Sequence, residues 1–185
     1  YITINISSPN TEGLRNFHDK KELSILLESL SKVKKEKKID KPLFLKISPD
    51  INHSEVSNIC ELISKYKIDG IILSNTSDRN RDNLLDQKKI EKGGLSGLPI
   101  QDISTNLIKV FYKEIKNKIT IIGVGGVDSG KSAFDKITAG ANAVQLYTGM
   151  VYKGPGVVKD IKKSLIEILK KEKISNISEI VGTNS

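Results

Sequence analysis

Five short apolar runs, each separated from the next by a helical pattern, restrict the fold of this chain more than any other feature. The runs are rich in β-branched residues and mostly lack the alternation of apolar and polar residues that marks a half-exposed strand. They are Ile2 to Ile6, Leu43 to Ile47, Ile71 to Leu73, Thr120 to Val124 and Ala143 to Tyr147. Such runs predict strands covered on both faces, and therefore a parallel sheet in an α/β fold.

Apolar residues between the runs recur at the three- and four-residue spacing of an amphipathic helix. They are Leu23, Leu26, Leu27, Leu30 and Val33; Val56, Ile59, Cys60 and Ile63; Ile103, Leu107, Val110 and Phe111; Ala133, Phe134 and Ile137; and Val157, Ile161, Leu165, Ile168 and Leu169. One or two further turns are predicted over Ile177 to Val181. This alternation fits both a doubly wound sheet and a (β/α)8 barrel.

The length of the chain and its first residue indicate a piece of a longer protein. A (β/α)8 barrel typically has about 250 residues, whereas this chain has 185. It also opens inside the first apolar run, at Tyr1, without an initiator methionine. If the fold is a barrel, we expect it to be incomplete.

Charge and composition exclude some classes of function. The formal net charge is +8, but the lysines are scattered over presumed outer helix faces, with few aromatic residues between them. This pattern is typical of a solvated surface, so we expect no nucleic-acid partner. No apolar run approaches the roughly 20 residues of a membrane span.

The cysteine and histidines suggest neither a disulfide nor a metal site. Cys60, the only cysteine, falls on a predicted helix face and is expected to be buried and inert. His18 and His53 stand among polar neighbours at predicted helix starts, where we expect surface or capping residues. The strand ends carry no cluster of Cys, His and carboxylates, so no metal is predicted.

Polar residues follow or end all five predicted strands. Reactive groups of strand-helix enzymes sit after the carboxyl ends of strands, which makes these residues candidates for a site. They are Asn5, Ser7, Ser8, Pro9, Asn10 and Thr11; Lys46; Ser74, Asn75 and Thr76; Gly125 and Gly126; and Tyr147 and Thr148. Lys46 alone could be a strand-end lysine that reaches solvent, but the polar ends of the other strands favour a buried anionic partner.

Gly125 to Ser132 match the G-x-x-x-x-G-K-[ST] pattern of a nucleotide-binding phosphate loop. A nucleotide triphosphatase of that type also needs a later strand that ends in a carboxylate, and the run Ala143 to Tyr147 does not supply one. A paired glycine at a strand end can instead cradle one phosphate with backbone N–H groups. On that interpretation Lys131 is a surface residue.

Six of these segments, in order along the whole chain, resemble the quinone-linked class of dihydroorotate dehydrogenases. They are Asn5 to Thr11 with Gly13 to Arg15, Leu45 to Asp50, Ser74 to Thr76, Gly93 to Gly97, Ile122 to Gly126 and Gln145 to Thr148. The resemblance implies an FMN-dependent barrel enzyme that oxidises dihydroorotate to orotate in pyrimidine (UMP) biosynthesis and passes electrons to a quinone. Residues 1–185 would then be about the last five βα units of one FMN-binding domain.

The resemblance also implies roles for single residues. Ser8 would be the catalytic base, with Thr11 as a relay through a water, and serine rather than cysteine at this position is what indicates the quinone-linked class. Substrate would be bound by Asn5, Asn10, Asn75 and Thr76. FMN would be held by Asn5, Lys46, Ser74, Gly97, Gly126, Tyr147 and Thr148, with Lys46 near the pyrimidine edge of the flavin ring and the last three at its phosphate.

Two departures from the family pattern stand out. Ser74 occupies a position where threonine is commoner, which keeps the hydroxyl. The family's first three barrel strands, and its amino-terminal helices that dock on a membrane and admit quinone, are expected to be absent. Two rivals remain: a tRNA dihydrouridine synthase, which would need a cysteine acid where Ser8 stands, and a degenerate barrel that only binds phosphate or a partner.

Overall fold

A computed structural model describes residues 1–79 and 81–185. It contains five parallel strands, hydrogen-bonded in the order in which they occur along the chain. The strands are β1 (Ile2–Asn5), β2 (Leu43–Ile47), β3 (Gly70–Leu73), β4 (Thr120–Val124) and β5 (Ala143–Gln145). All five predicted strands are confirmed, although β1 and β5 end before the apolar runs do.

The helices lie between and after the strands, as the sequence predicts. They are α1 (Lys20–Glu36), α2 (His53–Lys65), α3 (Gln101–Ile115), α4 (Gly130–Thr138), α5 (Thr148–Lys153) and α6 (Val157–Lys171), with 3-10 turns at Leu14–His18, Gln87–Ile90, Leu98–Ile100 and Ile177–Ile180. The predicted turn after the last long helix is confirmed. Helix α5 was not predicted, because six residues are too few to show a helical period.

The strand order and one long-range contact distinguish a barrel from a doubly wound sheet. A doubly wound sheet reverses its strand order at a switch point, whereas this order is sequential. In addition, Gln145 Nε2 donates to the Tyr1 hydroxyl at 2.6 Å. The outer strands of a flat five-stranded sheet would be about 19 Å apart, too far for these two side chains. The sheet therefore curls as part of a barrel wall.

The two faces of the sheet differ in how well they are packed. The outer face forms a large apolar core with α1, α2 and α3, in which Leu27, Leu45 and Phe111 are fully buried. The inner face carries the small cluster of Phe44, Ile72 and Ile122. Strand β3 is buried throughout, but β1 and β5 are largely exposed sheet edges, so the predicted cover on both faces holds only for the central strands.

The expectations for four single residues have definite outcomes. Lys131 is exposed, as predicted. Cys60 is half-buried rather than buried, and burial raises the pKa of its thiol to about 12, which agrees with the expected inertness. The prediction that His18 lies at the surface is wrong, because its imidazole is buried, whereas His53 is exposed as predicted. None of the helices described is long and apolar enough to cross a membrane.

Candidate active site

A cavity of about 920 Å³ lies at the carboxyl ends of β2 to β5. This is where the strand ends of a barrel place reactive groups. Eight of the predicted site residues line it: Lys46, Ser74, Asn75, Thr76, Gly97, Gly126, Tyr147 and Thr148. The remaining three, Asn5, Ser8 and Asn10, lie on β1 and in the loop after it, beside the cavity rather than in its lining.

A network of amide and hydroxyl groups joins the loop after β1 to the loop after β3. Asn75 Nδ2 donates to Asn5 Oδ1 at 3.2 Å and to the Ser7 hydroxyl at 3.0 Å. The Ser7 hydroxyl in turn donates to Asn5 Oδ1 at 2.9 Å. Ser7 is fully buried, and the sequence placed it among the strand-end candidates without predicting a role for it. Its hydroxyl fixes the orientation of Asn5 and Asn75, two of the three amides predicted to bind substrate.

Behind this network, a partly buried ion pair holds three loops together. Arg15 Nη2 donates to Asp50 Oδ2 at 3.1 Å and to the Thr76 carbonyl at 3.3 Å. The Ser77 hydroxyl donates to Asp50 Oδ1 at 2.5 Å, and the Asp50 side chain is only 2% exposed. Breaking such a pair leaves an uncompensated buried charge, which makes it a strong constraint on loop position. Neither charged residue was predicted to contribute to the site.

His18 forms hydrogen bonds to two of the same loops. Its Nδ1 lies 2.9 Å from the Arg15 carbonyl, and the backbone N–H of Ser48 donates to its Nε2 at 3.3 Å. These contacts require the neutral tautomer with the proton on Nδ1, because the carbonyl only accepts and the N–H only donates. Burial is the main cause that lowers the pKa of His18. The residue therefore ties the loop after β1 to the loop after β2 in its uncharged form.

Ser8 and Asn10 are close neighbours in the loop after β1. Ser8 is half-buried, and its hydroxyl oxygen accepts from the backbone N–H of Asn10 at 3.2 Å. The Asn10 side chain is exposed. The Thr11 hydroxyl makes no hydrogen bond within the described part of the chain. The Ser8 oxygen is thus polarised by one N–H group and keeps its own proton free for another partner.

Lys46 lies on the inner face of the sheet, beside Asn5 in the strand register. It is half-buried, and burial lowers the pKa of its ammonium group. Among residues 1–79 and 81–185, no carboxylate lies within 4.0 Å of it. The anionic partner expected for this cation is therefore not a described side chain of this chain.

At the other end of the cavity lie two glycines with positive φ, Gly97 and Gly126. Gly126 has φ +75°, and a Cβ there would lie 2.4 Å from Gln101 Cβ. Gly97 has φ +77°, and a Cβ there would lie 2.9 Å from Thr148 Cγ2. The Thr148 hydroxyl donates to Ser96 Oγ at 2.9 Å. Close packing against the protein itself demands glycine at both positions, in addition to the room that a ligand would need.

Two of the predicted cofactor contacts, Ser74 and Tyr147, differ in how the protein itself holds them. The Ser74 hydroxyl is buried and donates to the Asn75 carbonyl at 3.1 Å. Tyr147 is 80% exposed. It immediately precedes α5 and faces the cavity without being packed there.

The phosphate-loop pattern does not form a nucleotide triphosphatase site. Lys131 points outward and forms an ion pair with Asp135. The Ser132 hydroxyl, which would have to bind magnesium, accepts from the backbone N–H groups of Asp128 and Ser129 at 3.0 Å. Within the described ranges, no three His, Cys, Asp or Glu side chains come together as metal ligands.

Comparison with known proteins identifies the family. The profile of the family described as dihydroorotate dehydrogenase matches residues 1–169. The chain belongs to this family. It is 44% identical over 190 aligned positions to the dihydroorotate dehydrogenase (quinone) of Trichodesmium erythraeum, with 98% of this chain and 49% of that protein covered. It is 49% identical over 172 positions to the protein of the same description from Vibrio cholerae, with 89% and 50% covered.

Solved structures extend the likeness to the fold. A crystal structure of ligand-free DHODH from Eimeria tenella superposes with a TM-score of 0.91 at 33% identity, and it covers 100% of this chain and 56% of that one. The structure of the same protein with ferulenol has the same score and identity, over 54% of its chain. The chain therefore has the fold of an incomplete (β/α)8 barrel, and it spans about half the length of the relatives it matches.

Proposed function

We propose that the protein containing this chain oxidises dihydroorotate to orotate with FMN, and passes the electrons to a quinone, in pyrimidine (UMP) biosynthesis. One observation supports the proposal more strongly than the others. The Asn5, Ser7 and Asn75 network and the half-buried cation of Lys46 lie at one end of a single cavity, and the glycine loop at Gly126 lies at the other. The family to which the chain belongs supplies the reaction.

At the substrate end, Ser8 is proposed to remove a proton from one ring carbon of dihydroorotate. A serine hydroxyl is a weak base, so it needs a water-poor site and a group that accepts its own proton. The N–H group of Asn10 already holds the Ser8 oxygen in place, and Thr11 is proposed to accept the proton through a water.

Four amide or hydroxyl side chains are proposed to bind the ring amides and carboxylate of the substrate: Asn5, Asn10, Asn75 and Thr76. Substrate binding by preoriented groups lowers the entropy cost of reaching the reactive geometry. The Thr76 backbone N–H donates to Asn75 Oδ1 at 2.8 Å, and the Thr76 hydroxyl donates to the same oxygen at 3.5 Å, a long hydrogen bond that a ligand can replace. The hydrogen bonds of Asn75 to Asn5 and Ser7 supply this orientation.

The residues present fit FMN. The cavity volume falls within the range of about 300–1,000 Å³ usual for ligand sites, and Lys46 supplies a cation with no described carboxylate partner. FMN, when bound, supplies the acceptor for the hydride that leaves the substrate. Lys46 and Asn5 would lie at its ring, where the Lys46 charge stabilises negative charge gained on reduction. Ser74 and Gly97 would contact the cofactor as well.

The phosphate of FMN is proposed to lie against Gly126, Tyr147 and Thr148. Gly126 follows β4 and lines the cavity, and Thr148 begins α5. Backbone N–H groups at such loops and helix starts bind phosphate oxygens. Residues 1–185 would then form the carboxy-terminal part of one FMN-binding barrel domain. Peripheral attachment to a membrane, through segments outside this chain, is part of the same proposal.

The test uses the full-length protein. We expect its oxidised flavin spectrum to bleach anaerobically on addition of dihydroorotate and to return on addition of a quinone. A flavin that binds but stays oxidised would reject dihydroorotate as the substrate. A protein without flavin would reject the proposal as a whole.

A further inference from the structure

Lys136, in the last turn of α4, is a fully buried lysine that the proposed chemistry does not use. Its ammonium group donates to the hydroxyls of Ser104 and Thr105, each at 3.1 Å, and lies 3.5 Å from the Gln101 carbonyl. No carboxylate in the described ranges lies within 4.0 Å of it. The cation is therefore hydrogen-bonded to neutral groups only.

Such an arrangement is costly for stability. Burial lowers the pKa of Lys136 to about 8, while the more distant carboxylates of Asp102 and Asp135 act to raise it. The ammonium group also lies beside the first turn of α3, whose N-terminal end is itself positive. Two positive sources thus lie together inside the protein, and a buried cation that is not compensated needs an explanation.

The position of the Lys136 ammonium group suggests an explanation. The Ser104 hydroxyl that accepts from Lys136 donates to the carbonyl of Val124, the last residue of β4. The next two residues are Gly125 and Gly126, and Gly126 packs directly against Gln101. Lys136 and the start of α3 are therefore immediately behind the glycine loop, on the side away from the cavity.

We propose that Lys136 is a positioning residue for the phosphate of the cofactor: its buried charge makes the loop Gly125–Gly126 electrostatically positive and favours an anion on the cavity side. This inference rests on the proposed function, which places the phosphate of FMN at that loop. The field of a charge in a low-dielectric interior extends over several ångströms and is only weakly screened by salt. The charge need not touch the phosphate to stabilise it.

The hydroxyl partners do not require a lysine for their own satisfaction. The Ser104 hydroxyl donates to Val124 O, and the Thr105 hydroxyl donates to Gln101 O at 2.8 Å. Both donors stay satisfied if Lys136 is replaced. A purely structural role would therefore be served as well by an uncharged side chain of similar length, and that difference makes the inference testable.

The experiment compares FMN with riboflavin, which lacks the phosphate, by flavin fluorescence on full-length protein freed of its flavin. Lys136→Met and Lys136→Gln remove the charge, and Gln keeps an amide that can bond to the hydroxyls. We expect each variant to lose about tenfold in affinity for FMN, with little change for riboflavin, and to keep the difference in raised salt. Lys131→Met, which removes an exposed charge from the same helix, should bind both flavins like the unsubstituted protein.

Equal losses for both flavins, or a Lys136→Gln variant with full affinity for FMN, would overturn the inference but leave the proposed function standing. If unsubstituted protein bound neither flavin, the proposed function would fail and the inference with it. Should Lys136→Met not fold, Lys136→Gln alone decides the question.

Discussion

The two ends of the cavity are built in different ways. The end formed by the loops after β1 and β3 presents side chains, the amides and hydroxyls of Asn5, Ser7 and Asn75. At the end formed by the loops after β4 and β5 lie Gly97 and Gly126, where close packing against Thr148 and Gln101 leaves no room for a side chain. The first end can therefore change its chemistry by substitution without a change in shape, whereas the second depends on shape.

The largest expected effect tests the side-chain end. Ser8→Ala in the full-length protein should lower turnover at neutral pH by about 100-fold or more, the usual contribution of a positioned base, while the affinity for FMN stays unchanged. Steady-state kinetics and flavin titration measure the two quantities. Ser29→Ala removes a hydroxyl from the exposed face of α1 and serves as the control with full activity. Normal turnover in Ser8→Ala would remove Ser8 from the chemistry.

The next effect tests the backbone end. Gly126→Ala should destabilise the protein by about 1–3 kcal/mol, because the added Cβ must displace Gln101, and it should weaken FMN binding as well. Gly156→Ala is the matched control, since Gly156 has φ −62° and no neighbour within 4 Å of an added Cβ. Thermal unfolding of both variants measures the difference. Equal stability of the two would show that the loop adapts and that its shape is not decisive.

A smaller effect separates substrate binding from cofactor binding. Asn75→Ala leaves the buried Ser7 oxygen without its donor and removes one of the donors to Asn5 Oδ1, so KM for dihydroorotate should rise about tenfold, in line with about 1–3 kcal/mol for an unsatisfied buried partner. The affinity for FMN should not change. Asn16→Ala, at an exposed position in the adjoining turn, should leave KM as it is. A fall in FMN affinity instead would mean that the two ends are not independent.

The smallest effect concerns the support beneath the side-chain end. Because burial lowers the pKa of His18 below its ordinary value of about 6.5, the unfolded chain binds a proton that the folded protein resists. The stability that His18 contributes is present above that ordinary value and is lost as the pH falls through the lowered one. Urea unfolding should show a weaker dependence on acid pH for His18→Gln than for His53→Gln, which lacks the exposed imidazole. Identical pH dependence would contradict the buried, neutral state.

The sequence predicted the strands well because each central strand is a continuous apolar run, and such runs carry their signal locally. The predicted end of β1 at Ile6 was wrong, because β1 ends at Asn5 and Ile6 is buried without pairing in the sheet. Burial and strand hydrogen bonding are separate properties, and an apolar run reports only the first.

Residues that depend on distant partners could not be found in the same way. His18 stands among polar neighbours in the sequence. In the fold it is buried and accepts a hydrogen bond from Ser48, thirty residues away. Arg15 and Asp50 are thirty-five residues apart and become a pair only in the fold. Lys136 did leave a signal, since it occupies the helical stripe with Ala133 and Ile137, where an apolar residue is expected.

The sequential strand order has a consequence for how the chain assembles. Each of β2 to β5 pairs with the strand made just before it, so a new strand adds to an edge that already exists and opens no earlier pair. During synthesis, which proceeds from the amino terminus, the sheet can thus grow one βα unit at a time. The contact between Tyr1 and Gln145 joins the ends of this run of five strands, so it can form only after β5 has been added.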